Sequence, residues 1–114
     1  MTTEAVLAVG DLVLIPFPFT DLSALKRRPA LLVTRPDSDG DFIAAAVTSR
    51  SGHEATVTLD DASLMQGRLA KPSWIRADKL FTFHKATVVK HIGRVKPQVV
   101  RDTLSVLCPV LGCN

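Results

Sequence analysis

Two apolar runs separated by a polar loop constrain the fold of this chain more than any other feature. The runs, residues 12–15 and 30–33, are short and rich in branched side chains, which is typical of buried strands. The loop ends in three consecutive cations, and Pro29 follows the last of them, Arg28. Because Pro29 fixes its own φ and favours an extended backbone at Arg28, the second strand begins with a guanidinium on a constrained backbone. A cation held in this way suits phosphate binding.

The remainder of the chain predicts further short strands. Pro16 and Pro18 each remove a donor from a strand ladder, so the first strand is expected to end near Phe17. The apolar pattern and the turn signals at Gly40, Ser51-Gly52 and Gly93 predict later strands over 42–48, 53–59, 71–75, 80–83 and 87–92, with Gly93 ending the last one.

Two helical segments complete the prediction. Residues 60–67 are expected to form one or two turns, with Asp60 as the cap and Gly67 as the stop. A C-terminal helix is expected from Pro97 to about Cys108, since Pro109 interrupts the helical spacing. The pattern therefore predicts a mainly β fold, an antiparallel barrel or sandwich with a short helix and a C-terminal helix, in a single domain over residues 1–114.

Composition limits the class of protein. Apolar residues make up 46% of the 114 residues, enough for a core without metal or disulfide staples. The two cysteines, Cys108 and Cys113, lack the spacing of a redox or zinc motif and are expected to be reduced thiols. No run is long enough to span a membrane and no signal-peptide pattern opens the chain, so we expect a soluble, cytoplasmic protein.

Charge is distributed unevenly along the chain. Up to Ala62 there are five Lys or Arg against nine Asp or Glu, and from Ser63 onward nine against two. This asymmetry is compatible with a basic surface for an anionic partner and equally with an uneven solvated surface.

Several common catalytic motifs are absent from the sequence. It has no phosphate-binding Walker loop, no zinc-protease helix motif, no hydrolase serine motif and no dinucleotide fingerprint. His53, His84 and His91 show no ligand spacing, so we expect no metal and no cofactor.

Three positions can carry phosphate chemistry. The Arg28 guanidinium can hold two phosphate oxygens at once, and Thr48, at the end of an apolar strand, can donate a hydroxyl. Arg76 and Asp78 are two residues apart and would share a face of an extended segment, forming an acid/base or charge pair. The alternatives are a surface cation, a threonine bonded to local backbone and a structural ion pair. Among the aromatic residues Phe81 and Phe83 are assigned to the core, whereas Trp74 can pack in the core or stack on a base.

These elements together resemble the MazF/PemK/Kid family of toxin endoribonucleases. The similarity lies in Gly10-Asp11, the Phe17-Pro18-Phe19-Thr20-Asp21-Leu22 segment, Arg28-Pro29, the strand ending at Thr48-Ser49, and Arg76-x-Asp78-x-x-x-Thr82. The resemblance implies an SH3-like β-barrel, a homodimer, metal-independent cleavage of single-stranded RNA, and a cognate antitoxin whose C-terminal segment crosses the active site.

The same resemblance assigns roles to individual residues. Arg28 and Thr48 match the catalytic arginine and threonine of one branch, and Arg76 and Asp78 match an arginine and aspartate proposed as acid and base in another. The first-loop histidine of that second branch has no counterpart near Leu22. The implied mechanism is attack by the ribose 2′-OH, giving 2′,3′-cyclic phosphate and 5′-OH ends. The residues expected to bind RNA are Lys26, Arg27, Ser49, Arg50, Trp74 and Lys79.

Two other functions remain open at the level of sequence. One is a small barrel without catalytic activity that binds nucleic acid or protein through its basic half. The other is a toxin of the same barrel class that acts on DNA gyrase. An RNA-cleavage assay and a DNA-supercoiling assay would distinguish the endoribonuclease, the binding module and the gyrase-directed toxin.

Overall fold

One antiparallel sheet, curled into a half-barrel, forms most of the structure. The computed structural model of the chain describes residues 6–17 and 26–113. The strands are β1 Asp11–Phe17, β2 Lys26–Leu32, β3 Asp41–Thr48, β4 Thr56–Leu59, β5 Leu64–Gly67, β6 Ser73–His84 and β7 Lys90–Val95, followed by helix α1 Pro97–Leu111, which packs on β6 and β4. The sheet order is β4-β6-β3-β2-β1-β7-β5, and every neighbouring pair is antiparallel. The predicted mainly β class is therefore confirmed.

The central strands β1, β2 and β3 bury side chains on both of their faces. Because both faces are covered over most of their length, their sequences are apolar runs rather than alternating patterns. One cluster of buried side chains lies under α1, and the other lies on the opposite face of the central strands. The first contains Leu12, Leu31, Ala45, Val47, Leu59, Leu64, Ile75, Val95 and Val99, and the second contains Val13, Ile15, Phe17, Ala30, Leu32, Phe42, Ala44 and Phe83. Phe81 packs against the second cluster, so the assignment of Phe81 and Phe83 to the core is confirmed.

Two segments differ from the sequence prediction. Residues 60–67 form a single 3₁₀ turn, Asp61–Ser63, followed by β5, in place of one or two α-helical turns. Asp60 does cap this turn, since it forms a capping box with Ser63. The fourth strand covers only Thr56–Leu59 and not the whole of 53–59.

The predicted strands 71–75 and 80–83 belong to one strand, β6, which is interrupted by a bulge. Ala46 of β3 pairs with Arg76, but the preceding residue, Ala45, pairs with Leu80. Residues 77–79 therefore have no pairing partner on β3, and Ala77 N–H donates instead to the carbonyl of Ala55 at 2.9 Å. Bulges of this kind bend a strand and redirect its side chains.

The prediction that Gly93 ends a strand is wrong, because Gly93 lies inside β7. It faces Gly67 of β5, and an added Cβ on either glycine would overlap the backbone of the facing strand. Glycine is needed here for the close approach of two backbones.

Gly93→Ala is therefore expected to destabilise the fold. The added methyl group has to displace β5 from β7, and overpacking of this kind costs about 1–3 kcal/mol. Urea unfolding followed by circular dichroism measures the loss. A variant with the parent's unfolding midpoint would show that the two strands can separate without cost.

The C-terminal helix extends one turn beyond the predicted end. Gly112, with φ of 80°, caps it, and the N–H groups of Gly112 and Cys113 donate to the Cys108 carbonyl. Pro109 removes one donor only in the last turn, so the helix continues past it. A disulfide joins Cys108 and Cys113, so the expectation of two reduced thiols is wrong. In the described ranges no helix has both the length and the apolar character needed to cross a bilayer.

A buried carboxylate, that of Asp11, connects the first strand, β1, to the last strand, β7. Asp11 is fully buried at the start of β1, opposite Arg94 of β7. Its carboxylate accepts hydrogen bonds from Arg94 Nε at 2.7 Å and from the Ala8 N–H at 2.8 Å, and lies 3.3 Å from His91 Nε2. Burial alone would raise the pKa of Asp11, but these three neighbours outweigh it and the pKa lies below its ordinary value.

Candidate active site

Arg28 and Thr48 lie at the same end of the neighbouring strands β2 and β3. β2 and β3 pair Ala30 with Ala46, and the same register continued by two residues sets Arg28 opposite Thr48. Side chains two apart on a strand point to the same face, so both share the face of Ala30 and Ala46. Two residues twenty positions apart in sequence thus meet at one end of the sheet.

A cavity of about 410 Å³ opens at this end, where β2 begins and β3 ends. Its volume lies within the range of about 300–1,000 Å³ found for small-ligand sites. Five cations and three hydroxyl side chains line it, and no carboxylate from residues 6–17 or 26–113 does. Such a site concentrates positive potential and favours an anionic ligand. The charged and hydroxyl-bearing lining residues are Lys26, Arg27, Arg28, Thr48, Ser49, Arg68, Lys71 and Ser73.

Local backbone orients the Thr48 hydroxyl. Thr48 Oγ1 accepts a hydrogen bond from the Arg50 N–H at 3.1 Å. A hydroxyl has one proton and two acceptor lone pairs, so this bond leaves its proton available to donate. The local bond expected for a threonine at a strand end therefore forms without preventing donation to a phosphate oxygen.

Two more of the predicted residues extend the same face of the sheet away from the cavity. Trp74 pairs with Thr48, and Arg76 pairs with Ala46. Both side chains are half-buried. They do not line the cavity, but they lie on the strand next to Thr48, on the face that Thr48 and Arg28 share.

Asp78 and Lys79 lie in the β6 bulge, outside the cavity. Burial still alternates as far as Asp78, with Arg76 and Asp78 half-buried on either side of buried Ala77. Within the described part of the chain these two side chains form no ion pair, and their acid/base role stays a prediction. Arg76 Nε and Asp78 Oδ1 are both buried without a hydrogen-bond partner among the described residues. Most buried polar atoms are satisfied, so these two are candidates for contact with a bound group.

Sequence reasoning missed three residues of the cavity, Arg68, Lys71 and Ser73. They lie in or beside the loop from β5 to β6. The sequence pattern assigned residues 68–70 to no element and placed Lys71 and Ser73 in a strand over 71–75. Their charge was visible in the basic second half of the chain, but only the fold shows that this loop faces the start of β2.

An acidic turn lies at the other end of β3. The carboxylate oxygens of Asp37, Asp39 and Asp41 lie within 4.8 Å of one another. Asp37 Oδ1 accepts the backbone N–H groups of Asp39 and Asp41 at 2.9 and 3.0 Å, which closes the turn between β2 and β3. This cluster is remote from the cavity.

Comparison with solved structures finds the same fold in proteins from Deinococcus radiodurans and from Mycobacterial species. A MazE–MazF complex from Deinococcus radiodurans matches with a TM-score of 0.78 and 22% identity, covering 97% of this chain and 100% of that one. An endoribonuclease from Mycobacterial species matches with a TM-score of 0.70 and 18% identity over 98% and 97% of the two chains. An endoribonuclease in complex with its cognate antitoxin, also from Mycobacterial species, matches with a TM-score of 0.72 and 18% identity, covering 97% of this chain and 98% of that one. At these identities the likeness establishes the fold.

Family membership rests on a separate observation. A search of curated proteins found no significant match. The family model of the PemK-like, MazF-like toxins of type II toxin–antitoxin systems matches residues 8–111, nearly the whole chain. The sequence motifs, the half-barrel fold and this match agree, and the chain belongs to the PemK-like, MazF-like toxin family.

Proposed function

We propose that this protein is a toxin endoribonuclease that cleaves single-stranded RNA without a metal ion. The observation that carries the proposal is the meeting of Arg28 and Thr48 at a cavity lined by five cations. A guanidinium and a hydroxyl directed at one phosphate are the groups needed to stabilise charge on its oxygens.

The reaction is an intramolecular displacement at phosphorus. The 2′-oxygen of the ribose forms a bond to the adjacent phosphorus and loses its proton, while the bond from phosphorus to the 5′-oxygen breaks and that oxygen gains a proton. The products are a 2′,3′-cyclic phosphate and a 5′-OH end. Because the nucleophile belongs to the RNA, the protein has only to bind the phosphate, stabilise its developing charge and move protons.

Arg28 and Thr48 stabilise the transition state in this proposal, and Asp78 accepts the 2′-OH proton. Arg76 assists at the phosphate or at the leaving oxygen. Asp78 Oδ1 and Arg76 Nε are buried without a partner among the described residues, which supports these roles. Because neither residue lines the cavity, we expect each to contribute less to the rate of cleavage than Arg28 or Thr48.

Asp78→Asn is expected to slow cleavage at saturating RNA, and by a smaller factor than Arg28→Ala. The amide keeps the size of the side chain but cannot accept the proton as a carboxylate does. Single-turnover cleavage of one RNA by both variants gives the comparison. A rate equal to the parent's would remove Asp78 from the mechanism and leave the 2′-OH proton to another group.

RNA binding extends from the cavity along the neighbouring strands. Lys26, Arg27 and Ser49 line the cavity, and we propose Arg50, Trp74 and Lys79 as further RNA contacts. We also propose a homodimer, a cytoplasmic location and inhibition by a cognate antitoxin. Solved relatives of the fold described as a MazE–MazF complex and as an endoribonuclease with its cognate antitoxin support the last of these.

The test is incubation of the purified protein with a long single-stranded RNA in EDTA. We expect discrete fragments with 5′-OH ends, which a polynucleotide kinase labels without prior phosphatase treatment. Binding without fragments would favour a module that holds nucleic acid without cleaving it. Inhibition of gyrase in a supercoiling assay, with intact RNA, would favour a gyrase-directed toxin. Mapping the fragment ends also gives the cleavage sequence.

A further inference from the structure

The loop between β5 and β6, residues 68–72, is held in place at several points. Leu69 packs against the first core cluster, and its N–H donates to Asp61 Oδ1 at 3.3 Å. At the end of the loop Ser73 Oγ donates to the Lys71 carbonyl at 3.0 Å. At its start Gly67 lies against the backbone of β7. A loop anchored in this way can present side chains with little further loss of backbone entropy.

Two cations of this loop face the proposed RNA site. Arg68 and Lys71 are exposed and line the same cavity as Arg28 and Thr48, but from the loop between β5 and β6 and not from β2 or β3. In the described part of the chain neither has a carboxylate within ion-pairing distance. Their charges are therefore not neutralised by a partner, and exposed cations that line a common cavity with Arg28 can bind phosphate.

Two carboxylates, Asp60 and Asp61, border the positive surface formed by Arg68 and Lys71. Lys71 also lines a second cavity, on the other side of the loop, together with Asp60 and Asp61. Asp61 accepts the Leu69 N–H there. An RNA backbone would be repelled on the Asp60–Asp61 side and attracted on the Arg68 side, so Arg68 is the stronger of the two contacts.

We propose that Arg68 and Lys71 bind the RNA phosphate adjacent to the scissile one, so that the cavity holds two consecutive phosphates, one at the β2–β3 end and one at the 68–72 loop. This inference rests on the proposed function. In it Arg28 and Thr48 act on the reacting phosphate, while Arg68 and Lys71 position the strand. Contacts made equally in the ground and transition states lower KM and leave kcat unchanged.

The first experiment compares Arg68→Gln/Lys71→Gln with a control of equal charge, Lys96→Gln/Arg101→Gln, whose side chains are exposed outside the cavity. The probe is a fluorescent single-stranded RNA that contains the mapped cleavage sequence and a 2′-O-methyl group on the attacking ribose. Fluorescence anisotropy at several salt concentrations gives the affinity and its salt dependence.

For the Arg68/Lys71 double variant we expect the affinity to fall by about 10–100-fold at low salt. The slope of log K against log salt should become shallower by about 0.7, since the two cations bind one phosphate and each single-strand phosphate contact contributes about 0.7. With a cleavable RNA the double variant should show a raised KM and a kcat within about threefold of the parent's. The control should show clearly smaller changes in both affinity and slope.

The second experiment identifies the phosphate. In a series of oligonucleotides a neutral methylphosphonate replaces one phosphate at a time on either side of the cleavage site. At one adjacent position the parent should lose affinity, while the double variant should lose almost none, because its contact to that phosphate is already gone.

The outcomes separate this inference from the function on which it rests. A parent protein that neither binds nor cleaves RNA overturns both. A parent that cleaves, with a double variant that matches the control in affinity and slope, overturns only the two-phosphate inference. The inference also fails if the double variant loses kcat with KM unchanged, or if no methylphosphonate position couples to the double variant.

Discussion

Arg28→Ala is expected to lower the rate of RNA cleavage by about 10²–10³-fold, the loss typical of removing one group that stabilises transition-state charge. Arg28 lines a cavity together with Thr48, and no described carboxylate lines it. Removing the guanidinium removes the charge that the proposed mechanism places on the scissile phosphate. Single-turnover cleavage at saturating RNA measures the loss.

The fold should survive this change. Arg28 is half-buried at the open end of β2, next to the cavity and not within either core cluster. We expect the far-ultraviolet circular dichroism to match the parent's and the Tm to move by only a few degrees. Arg28→Lys restores the charge but not the two-pronged geometry of the guanidinium, so it should recover only part of the rate.

A matched control makes the result specific. Arg35→Ala removes an exposed arginine that lies outside the cavity and should leave cleavage close to the parent rate. If Arg28→Ala cleaved RNA as fast as Arg35→Ala, the assignment of Arg28 to the reacting phosphate would be wrong.

Asp11→Asn is expected to give the largest loss of stability, about 2–3 kcal/mol at neutral pH. The buried carboxylate accepts hydrogen bonds from Arg94 and from the Ala8 N–H, and hydrogen bonds to charged groups contribute about 1.5–3 kcal/mol. An amide has one acceptor oxygen and no charge, so it cannot satisfy these donors together with His91. At about 4–8 °C per kcal/mol for a domain near this size, the Tm should fall by roughly 10 °C or more.

The difference in the free energy of unfolding between Asp11→Asn and the parent should depend on pH. The pKa of Asp11 in the folded protein lies below its ordinary value of 3.8, so the carboxylate stabilises the fold above the unfolded pKa. That contribution is lost as the pH falls through the folded pKa. The free energies of unfolding should therefore differ by a constant amount from about pH 5 to 8 and converge below about pH 4. A difference that stayed constant into strong acid would show that the charge of Asp11 contributes nothing.

The sequence predicted the part of the fold that depends on local chemistry. Proline at position 29, the turn at Gly40 and the first-turn proline of α1 have fixed local consequences, and the elements beside them were placed nearly correctly. The errors arose where distant contacts decide the outcome. Gly93 resembles a strand end, and only the approach of β5 explains its place inside β7.

The candidate site was predictable to a similar extent. Arg28 and Thr48 could be chosen because each stands at the end of an apolar run and matches a catalytic residue of the family that the sequence resembles, and both line one cavity. Arg68 and Lys71 could not be chosen from the sequence, because the position of a residue in a loop does not indicate which strand end it lies near. The bulge beside Arg76 and Asp78 was not predicted for a related reason, since it depends on how β3 pairs with β6.

Burial of β1, β2 and β3 on both faces has a consequence for how such a toxin can diversify. Polar substitutions along the middle of these strands would enter a core, so new recognition chemistry can be introduced only at strand ends and in the loops beyond them. Exchanging the 68–72 loop between homologous toxins should therefore transfer preference for nucleotides flanking the cut while folding is preserved. Engineering of sequence-selective ribonucleases from this scaffold can begin at that loop.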